Sequence, residues 1–501
     1  MKHAYSYLLL IFLFIHTKTY SNNIWSAIEK KYRNTIVQVF VESAEFNWTQ
    51  PYITPEQSQV SGSGFIINKE GYFITNAHVV DTAKNTWIQI PDLGRKNIET
   101  EIIGICPDVD VALLKIKEFE LSSIKKSLGE IPVINLGDSD LISRTDEILV
   151  FGYPLGQYYL KTTVGVISGL EHIDSQMHFQ IDAAINCGNS GGPVVNKDGK
   201  VIGIATAAIP SAENIGYILP INDLKIILYD LYKTKFFRKQ KLGILYNSTN
   251  AAQMKKLNGH IVEGIYINTV LKDSIAEQTG IKEGDVLTQI EEYNIDNFGE
   301  INVPWSSDKI QISDLISRFK VNEIINLTIY RRGKKLKLKV SWKNMPLYPI
   351  RKIYPEYEKV DYEMLGGIVI MNLSTDLIKK LSDNNEYLVK YKEPVNTISP
   401  RLIISHIFPG SKIAQQNVFF KGDIIKKINE IEVNDLNSYR KALKKSIKNL
   451  NLMIETEDRK VCVFSFKQIL DDELRLSKSY EYTITPTAKN ILKQYQKKIT
   501  K

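Results

Sequence analysis

Three short segments constrain this chain more than any other feature, because each places a chemically distinctive residue beside a strand-like stretch. His78 follows a predicted hairpin, Asp110 directly precedes an apolar run, and Ser190 lies among glycines. A serine hydroxyl is a weak nucleophile at neutral pH unless an imidazole takes its proton and a carboxylate orients that imidazole. Any one segment could be an ordinary turn or cap. In this chain order the three together predict a nucleophilic site on a strand-rich fold.

The glycines around Ser190 have their own part in this prediction. Glycine lets the backbone turn sharply, so the N–H groups of Gly188 and Ser190 could converge on one developing oxyanion. The sequence therefore predicts an oxyanion hole built from these two amides.

The chain resembles the HtrA (Do-like) family of serine proteases, closely so over about residues 35–225. The resemblance implies that His78 is the general base, Asp110 the orienting carboxylate and Ser190 the nucleophile. Asp108 is the rival acid, and Asp110 is preferred because it stands immediately before the apolar strand, as the family's acid does. Besides the three segments, the stretches that carry the resemblance are Gly62-Ser63-Gly64-Phe65, Leu136-Gly137-Asp138-Ser139-Asp140, Phe151-Gly152-Tyr153-Pro154-Leu155-Gly156, Thr163-Val164-Gly165-Val166-Ile167-Ser168-Gly169 and Asn214-Ile215-Gly216-Tyr217-Ile218-Leu219-Pro220.

The same resemblance implies a substrate-binding side. Ile185, Thr206, Ala207 and Ala208 would line it, although plain packing inside a barrel is the alternative for these residues. They offer no carboxylate to a Lys or Arg side chain, and an alternating strand places Asp182 on the opposite face from Ile185. We therefore expect cleavage after small or medium aliphatic residues.

The chain divides into a region of short alternating strands and a later internal repeat. The Gly-Asp pair at 284–285 recurs at 422–423, each time between a short helix and an apolar strand. With the resemblance, this indicates a mainly β chain: a chymotrypsin-like double β-barrel followed by two PDZ (α+β) domains. The expected boundaries are a signal peptide at 1–21, a trypsin-like serine protease domain at 23–235, PDZ domain 1 at 241–343, a linker at 344–362, PDZ-like domain 2 at 364–468 and a polar, basic C-terminal tail at 469–501.

Each PDZ copy carries a candidate loop for a peptide carboxylate. In the first copy Leu242, Gly243 and Ile244 follow a lysine, and PDZ domains bind a peptide by strand addition beside such a loop. In the second copy the acidic Glu363 stands just before the loop 365–368, and its charge disfavours an anionic terminus. We therefore expect the first domain to bind apolar C-termini and the second to bind them weakly or not at all. The alternative is that neither groove binds peptide and both domains serve assembly.

The N-terminus indicates export. Its apolar core at 8–15 follows Lys2 and is too short to span a bilayer, so a secretory signal fits best, with an uncleaved anchor as the alternative. This predicts an extracytoplasmic location, by the resemblance the bacterial periplasm. Membrane anchoring is expected only if the signal is uncleaved.

The composition limits the partners, cofactors and metal ions that the chain is expected to bind. The net charge of +8 forms no compact basic stripe, so nucleic acid is not an expected partner. The chain has only three cysteines, so we expect that its fold does not depend on disulfides. Cys187 is either a reactive thiol or a small packed loop residue. Scattered histidines and cysteines predict no metal site, and we expect no cofactor. No nucleotide-binding loop occurs, so activity would be ATP-independent.

Two stretches depart from the family. Cage-forming members carry a much longer loop than 43–61, so their inter-trimer capping is not carried over. The stretch 171–178 lacks the Arg or Lys that members commonly use to couple ligand binding to the active-site loop. Either His172 or His178 could substitute as a titratable group, or both could be solvent-facing loop residues.

The leading functional prediction is an ATP-independent serine endopeptidase that degrades misfolded or unfolded proteins in protein quality control. Its partners would be unfolded protein or peptide substrates and C-terminal peptides at PDZ domain 1. The family resemblance implies a homotrimer or a multiple of it. Two alternatives stay open: a chaperone or holdase with minor proteolysis, and a PDZ-gated sensor protease that cuts one dedicated partner.

Overall fold

The computed structural model describes residues 24–173, 176–208, 215–259, 261–448 and 450–499. The predicted signal peptide at 1–21 lies outside the described residues.

The first β-barrel follows helix α1 (Ile24–Tyr32) and encloses a core of valine, isoleucine, leucine and phenylalanine side chains. Alternate residues of a strand face the same side, so these side chains point inward together. Helix α2 (Ala77–Val80) lies between the third and fourth strands of this barrel, and helix α3 (Glu118–Leu128) follows its last strand. In chain order the strands are β1 (Ile36–Glu45), β2 (Glu56–Ile66), β3 (Tyr72–Thr75), β4 (Ala83–Gln89), β5 (Ile98–Cys106) and β6 (Val111–Ile116). They close in the order β1-β2-β3-β6-β5-β4.

The second β-barrel has the same number of strands. In chain order they are β7 (Glu147–Gly152), β8 (Lys161–Ile173), β9 (Gln176–Ile181), β10 (Pro193–Val195), β11 (Val201–Ala208) and β12 (Gly216–Pro220), followed by helix α4 (Ile221–Lys233). They close in the order β10-β11-β12-β9-β8-β7. Side chains of both barrels, α1 and α4 share one buried cluster, which joins the barrels into one body. The predicted mainly β chain with an N-terminal double barrel is confirmed.

The middle domain is a sheet in the order β13-β14-β15-β19-β20, with β16 on β15 and a separate pair β17-β18. Within the part of the chain that the structure describes, β13 pairs with β14 alone, so its other edge is free. The elements are β13 (Ile244–Asn247), α5 (Ala251–Asn258), β14 (Ile265–Val270), α6 (Ile275–Thr279), β15 (Val286–Ile290), β16 (Tyr293–Asn294), β17 (Glu300–Ile301), β18 (Ile310–Gln311), α7 (Ile312–Ser317), β19 (Ile324–Arg331) and β20 (Lys334–Ser341).

The third domain is a larger sheet in the order β21-β22-β23-β24-β26-β27, with β25 on β24. Its elements are β21 (Tyr362–Leu365), β22 (Ile368–Asn372), α8 (Thr375–Leu381), α9 (Pro394–Thr397), β23 (Leu402–Ile407), α10 (Lys412–Gln415), β24 (Ile424–Ile428), β25 (Ile431–Glu432), α11 (Leu436–Ser446), β26 (Asn451–Thr456), β27 (Val461–Ser465), α12 (Phe466–Ser479) and α13 (Pro486–Ile499).

The third domain repeats specific contacts of the middle domain. Gly243 and Gly367 both have positive φ, and a Cβ atom on either would meet a serine Cβ, that of Ser274 at 2.2 Å or of Ser411 at 2.5 Å. These two serines cap the short helices α6 and α10. The loops that enter β13 and β22 are therefore built alike, and glycine is required at the same point of each.

A second repeated contact lies at the Gly-Asp turns. The buried carboxylate of Asp285 pairs with Arg331 at 2.7 Å, and that of Asp423 pairs with Lys460 at 2.8 Å. The repeat seen in the sequence thus extends to the ion pair that anchors each turn.

The C-terminal segment corrects the sequence prediction. A polar tail was expected at 469–501, but residues 469–479 belong to α12 and residues 486–499 form α13. Ile469, Leu470, Ile491 and Leu492 belong to the buried core of the third domain. With Phe466 and Ala488 of the same core, the buried residues within each helix are one, three and four residues apart. They therefore lie on one face of each helix, and that apolar stripe outweighs the polar average composition.

The predicted linker at 344–362 is also packed rather than free. Its Glu358 bonds to Arg238 at 2.7 Å and to Arg351 at 2.7 Å. The segment that leads into the middle domain and the segment that leaves it lie side by side, since the backbone N–H of Met345 donates to the Gln240 side chain at 2.9 Å.

The segment between β1 and β2 reaches the third domain. The Tyr52 ring stacks on Phe408 with centroids 5.1 Å apart, and Phe46 and Trp48 pack against a second cluster of that domain. The short loop noted in the sequence therefore ties the first barrel to the third domain.

Candidate active site

The fold brings His78 and Asp110 to one end of the first barrel. Strands β3 and β6 pair antiparallel with Thr75 opposite Ala112, so the end of β3 and the start of β6 lie together. His78 sits in α2 just after β3, and Asp110 ends the turn just before β6. The φ of Asp110 is 58°, a left-handed conformation that Asp tolerates better than most residues.

The Asp110 carboxylate is held by several donors. The His78 Nδ1 lies 2.8 Å from Oδ2 and 3.0 Å from Oδ1, and the backbone N–H of His78 donates to Oδ1 at 3.0 Å. The Thr206 hydroxyl donates to Oδ2 at 2.7 Å, and the Asn76 amide donates to the Asp110 carbonyl at 2.9 Å. Because an ionised carboxylate only accepts, Nδ1 carries the ring proton and Nε2 is left as the acceptor.

This pairing tunes the His78 ring. Burial by itself lowers the pKa of His78, since it disfavours the cation. The hydrogen bond and the negative charge of Asp110, with a smaller contribution from Asp81, act in the opposite direction and leave the pKa of His78 raised above its ordinary value of 6.5. Asp110 therefore stabilises the protonated ring that a general base must become.

Asp108, the other candidate for the orienting acid, has a different hydrogen-bond partner. Asp108 accepts a hydrogen bond from the backbone N–H of Lys239 at 3.0 Å, in the segment that follows α4. Asp110, not Asp108, is the carboxylate that contacts His78.

Ser190 approaches from the second barrel, in the loop between β9 and β10. Its hydroxyl donates to the carbonyl oxygen of Thr206 at 3.3 Å. Within the described residues no hydrogen bond joins Ser190 to His78. Thr206 thus contacts both halves of the site, the carboxylate through its hydroxyl and the serine through its carbonyl.

The loop before Ser190 is clamped by a residue of the first barrel. The Ser63 hydroxyl donates to the Gly188 carbonyl at 2.6 Å, and the Ser63 N–H donates to the Ser190 carbonyl at 2.8 Å. With both carbonyls turned toward Ser63, the N–H groups of Gly188 and Ser190 have no partner within the described residues. Gly188 has φ 96°, and a Cβ there would meet the Tyr153 carbonyl at 2.3 Å, so no other residue fits.

The predicted substrate-lining residues have mixed outcomes. The Thr206 hydroxyl is committed to Asp110, and the place of this residue on the substrate side stays a prediction. Ile185 is buried in the second-barrel core, which is the packing alternative. Ala207 and Ala208 lie on β11 opposite Tyr217 and Gly216, and their side chains lie outside what the structure describes.

The two histidines of the 171–178 stretch lie on strands and not in a loop, and His172 is exposed whereas His178 is buried. His178 is buried on β9, and its Nδ1 lies 3.0 Å from the Gln176 carbonyl. His172 is on β8 and reaches Asp314 of α7 at 3.0 Å. Burial raises the pKa of Asp314 to about 6, against the opposing charge of His172. His172 therefore lies where the second barrel meets the middle domain.

All three cysteines are free thiols, and Cys187 is exposed three residues before Ser190 in the sequence. No group of three or more His, Cys, Asp or Glu side chains in the described ranges is placed to hold a metal ion.

Comparison with known protein families matches two parts of the chain. Residues 62–204 match the trypsin-like peptidase domain, and residues 233–303 match the PDZ domain. The first match contains His78, Asp110 and Ser190, and the second contains the first half of the middle domain.

A relative from Buchnera aphidicola subsp. Baizongia pistaciae, a probable periplasmic serine endoprotease described as DegP-like, is 31% identical over 392 residues. The alignment covers 76% of this chain and 74% of the relative. The chain belongs to the HtrA family of DegP-like serine endoproteases. It is a serine-type endopeptidase with a chymotrypsin-like double barrel and a PDZ domain.

Other members of the HtrA family agree at lower identity or coverage. A probable periplasmic DegP-like endoprotease of Marinomonas sp. is 28% identical over 399 residues, with 78% of this chain and 76% of the relative covered. HtrA-like serine proteases of Staphylococcus aureus are 31% identical over 306 residues, and this chain spans only 37% of their length.

Solved structures agree on the fold. The HtrA-type protease AlgW with a decapeptide superimposes with a TM-score of 0.50 at 23% identity, and the match covers 65% of this chain and 99% of AlgW. The same protease with a tripeptide gives a TM-score of 0.50 at 24% identity.

The predicted PDZ loop of this HtrA-family chain has its carbonyls turned inward. The Leu242 carbonyl accepts from Ala276, and the Gly243 carbonyl accepts from the N–H of Leu271, both at 2.9 Å. Leu242 is buried and Ile244 is partly buried in the domain core. Within the described residues, the N–H groups of Leu242 and Gly243 donate to no protein group.

In the described part of the chain no helix combines the length and the apolar character needed to cross a bilayer.

Proposed function

We propose that this endopeptidase hydrolyses exposed segments of unfolded or misfolded proteins, with Ser190 as nucleophile, His78 as general base and Asp110 as orienting acid. The observation that carries the assignment is the 2.8 Å contact between His78 Nδ1 and Asp110, which leaves Nε2 as the proton acceptor. The supporting contact is the Ser63 clamp, which leaves the amides of Gly188 and Ser190 available for an oxyanion.

The proposed reaction is acyl transfer. The Ser190 oxygen attacks the substrate carbonyl carbon while His78 takes the hydroxyl proton. The carbonyl oxygen becomes an oxyanion that accepts from the N–H groups of Gly188 and Ser190. His78 then gives the proton to the leaving amine, and water hydrolyses the acyl-enzyme by the same route.

One rearrangement precedes attack. The Ser190 hydroxyl donates to the Thr206 carbonyl in the described state, so it must turn toward His78 before it can lose its proton. A turn of one side-chain torsion is a small barrier, and substrate in the site would favour it.

The middle domain is proposed to capture peptide C-termini. Its support is the free edge of β13 beside the unpartnered amides of Leu242 and Gly243, an arrangement that suits strand addition and carboxylate binding. The third domain is proposed to be a second, PDZ-like copy because it repeats the glycine, serine and aspartate contacts of the middle domain. The proposed boundaries are 23–235, 241–343 and 362–499.

A PDZ-gated protease is the second candidate function. It is favoured by the contacts between the middle domain and the second barrel, where Arg318 bonds to both oxygens of Asp140 at 2.9 and 2.7 Å and His172 pairs with Asp314. A peptide that shifts α7 would disturb these contacts and thereby β8 and β9.

The proposed location of the protein and its proposed oligomeric state are based on its relatives and on the family resemblance. Two relatives are described as probable periplasmic endoproteases, which supports an extracytoplasmic and periplasmic location for this chain. A homotrimer, or a multiple of it, is proposed from the family resemblance.

The test uses purified wild-type protein and the Ser190→Ala variant with unfolded casein and no ATP. Wild type should degrade casein and the variant should not. Casein cleavage by the variant would refute the assignment of the nucleophile, and intact casein with cleavage of only one captured protein would favour the gated candidate. Mass spectrometry of proteins trapped by Ser190→Ala would identify the natural substrates.

A further inference from the structure

The edge of the third domain that corresponds to the free edge of β13 is already occupied. Strand β21 pairs antiparallel with β22 through four residue pairs, from Tyr362 opposite Met371 to Leu365 opposite Ile368. Gly367 is the counterpart of Gly243, so β22 is the counterpart of β13. An added peptide also runs antiparallel to its edge strand, and its C-terminal end lies beside the loop. β21 therefore has the direction and the position of a ligand.

The loop amide is occupied as well. Glu473 of α12 is fully buried, and its Oε2 accepts a hydrogen bond from the N–H of Gly366 at 2.7 Å. Gly366 precedes Gly367 as Leu242 precedes Gly243, so this amide is the counterpart of the Leu242 amide that stays unpartnered in the middle domain. A side-chain carboxyl group thus stands where a peptide carboxylate would bind.

The occupying strand is also fixed from the helix side of the groove. Arg440 of α11 donates to Glu363 at 2.7 Å and to both oxygens of Asp361 at 2.7 and 2.8 Å. The Thr485 hydroxyl donates to the other oxygen of Glu363. The acidic Glu363 was expected to repel a ligand terminus, but it is buried and serves to hold β21 in place. Met364 and Leu365 are buried beside it.

We propose that β21 and Glu473 together are a built-in ligand of the third domain, which fills its strand-addition edge and its carboxylate loop. The inference rests on the proposed PDZ-like relationship of the two domains. Its consequence is that each chain presents a single groove to peptide C-termini, the one in the middle domain. A free terminus could enter the third domain only by unpairing β21, whose covalent continuation into the loop keeps its effective concentration high.

The first test is hydrogen exchange on the full chain carrying Ser190→Ala. Amides of 363–366 should exchange at least about tenfold more slowly than those of an exposed loop, and a short peptide with an apolar free C-terminus should leave them unchanged. Loop-like exchange, or protection that appears only when peptide is added, would overturn the proposal. This readout does not depend on whether the middle domain binds peptide.

The second test compares variants of α12 in the same background. Glu473→Ala removes the acceptor and should speed exchange of 363–368 by about tenfold, whereas Asp471→Asn, an exposed acid on the same helix, should have no effect. Glu473→Gln keeps an acceptor oxygen and should retain protection, so it distinguishes loss of the contact from loss of the fold. Unchanged exchange in a folded Glu473→Ala protein would count against the proposal.

The third test counts peptide sites by fluorescence titration of the full chain with the free-carboxylate peptide and its amidated twin. One carboxylate-dependent site per chain is expected, and Ile244→Asp in the middle-domain groove should abolish it. A carboxylate-dependent site that survives Ile244→Asp would place a peptide in the third domain and overturn the built-in ligand. No binding by the parent chain would refute peptide capture by the middle domain, while the exchange data would still decide the built-in ligand.

Discussion

The Thr206 hydroxyl donates to Asp110 at 2.7 Å while the Thr206 carbonyl accepts from Ser190 at 3.3 Å, so one residue of β11 contacts both the acid and the serine. Asp110 and Ser190 belong to different barrels, and Thr206 links them across the cleft. The hydroxyl also restrains the carboxylate that orients His78.

Removing that hydroxyl should slow the reaction without weakening substrate binding. Thr206→Val removes one of the two donors to Oδ2 of Asp110, leaving only His78 Nδ1 there. Hydrogen bonds to charged groups contribute about 1.5–3 kcal/mol, so kcat should fall roughly 10- to 100-fold. Steady-state kinetics on a fluorogenic peptide would measure kcat and KM separately. Thr206→Ser keeps the hydroxyl and should retain most activity; equal losses in both variants would contradict the role of the hydroxyl.

The acid limb of the pH–rate profile should lie above pH 6.5. His78 must be neutral to accept a proton, and Asp110 raises the pKa of its ring, so kcat/KM should fall as pH drops through that raised value. In Asp110→Asn the limb should move to lower pH, and the plateau rate should fall by about 10⁴-fold. A limb at the same pH in both proteins would show that Asp110 does not set the His78 pKa.

Cleavage should favour small or medium aliphatic residues before the scissile bond. Asp182, the acid nearest to Ile185 in sequence, accepts a hydrogen bond from the backbone of Val166 at 2.7 Å, which restrains its carboxylate. Sequencing the products of a digested unfolded protein measures the preference. A majority of cuts after Lys or Arg would contradict it.

The third domain should become less stable as pH rises through neutrality, because of Glu473. Burial raises the pKa of Glu473 from its ordinary 4.5 to about 7, so the folded state holds a proton that the unfolded state releases. The unfolded state then binds fewer protons between these values, and stability falls as pH rises from about 4.5 to about 7.

Glu473→Gln should remove this dependence. The variant should unfold at the same temperature as wild type near pH 5 and at a higher temperature above pH 8, corresponding to a difference on the order of 2–3 kcal/mol. Thermal unfolding of the Ser190→Ala chain at a series of pH values tests this, with Asp471→Asn as the matched exposed control. A constant difference at all pH values would show that Glu473 does not titrate in this range.

The sequence predicted what short segments determine. His78, Asp110 and Ser190 each stand at a strand end that local patterning shows, and the Gly-Asp repeat locates two related sheets. Ser63 was missed as a clamp, because its contact with Gly188 joins positions 125 residues apart and needs both barrels to be docked. The Gly62-Ser63-Gly64 segment was noticed in the sequence. A sequence pattern, however, does not show which group a serine contacts in the folded protein.

The burial of the C-terminal helices and the strand β21 escaped prediction for a different reason. Their apolar residues are spaced for one buried face, yet the surrounding lysines and glutamates make the average composition polar. β21 is short, and its pairing with β22 depends on a two-residue turn of glycines with positive φ at Gly366 and Gly367. Only the docked helix α12 shows that this turn also receives a carboxyl group.

The segments that enter and leave the middle domain meet at one point, where Gln240 contacts Met345. This point is where the middle domain could rotate relative to the rest of the molecule. The middle domain is held against the protease region by three ion pairs, which join Arg318 to Asp140, His172 to Asp314 and Arg144 to Asp308. Met177 of β9 also packs against the middle-domain core. The contact between Tyr52 and Phe408 lies on the first barrel and shares no residue with these contacts. A rotation of the middle domain about the point where Gln240 meets Met345 would therefore break contacts on the side of the second barrel and leave the contact between the first barrel and the third domain in place.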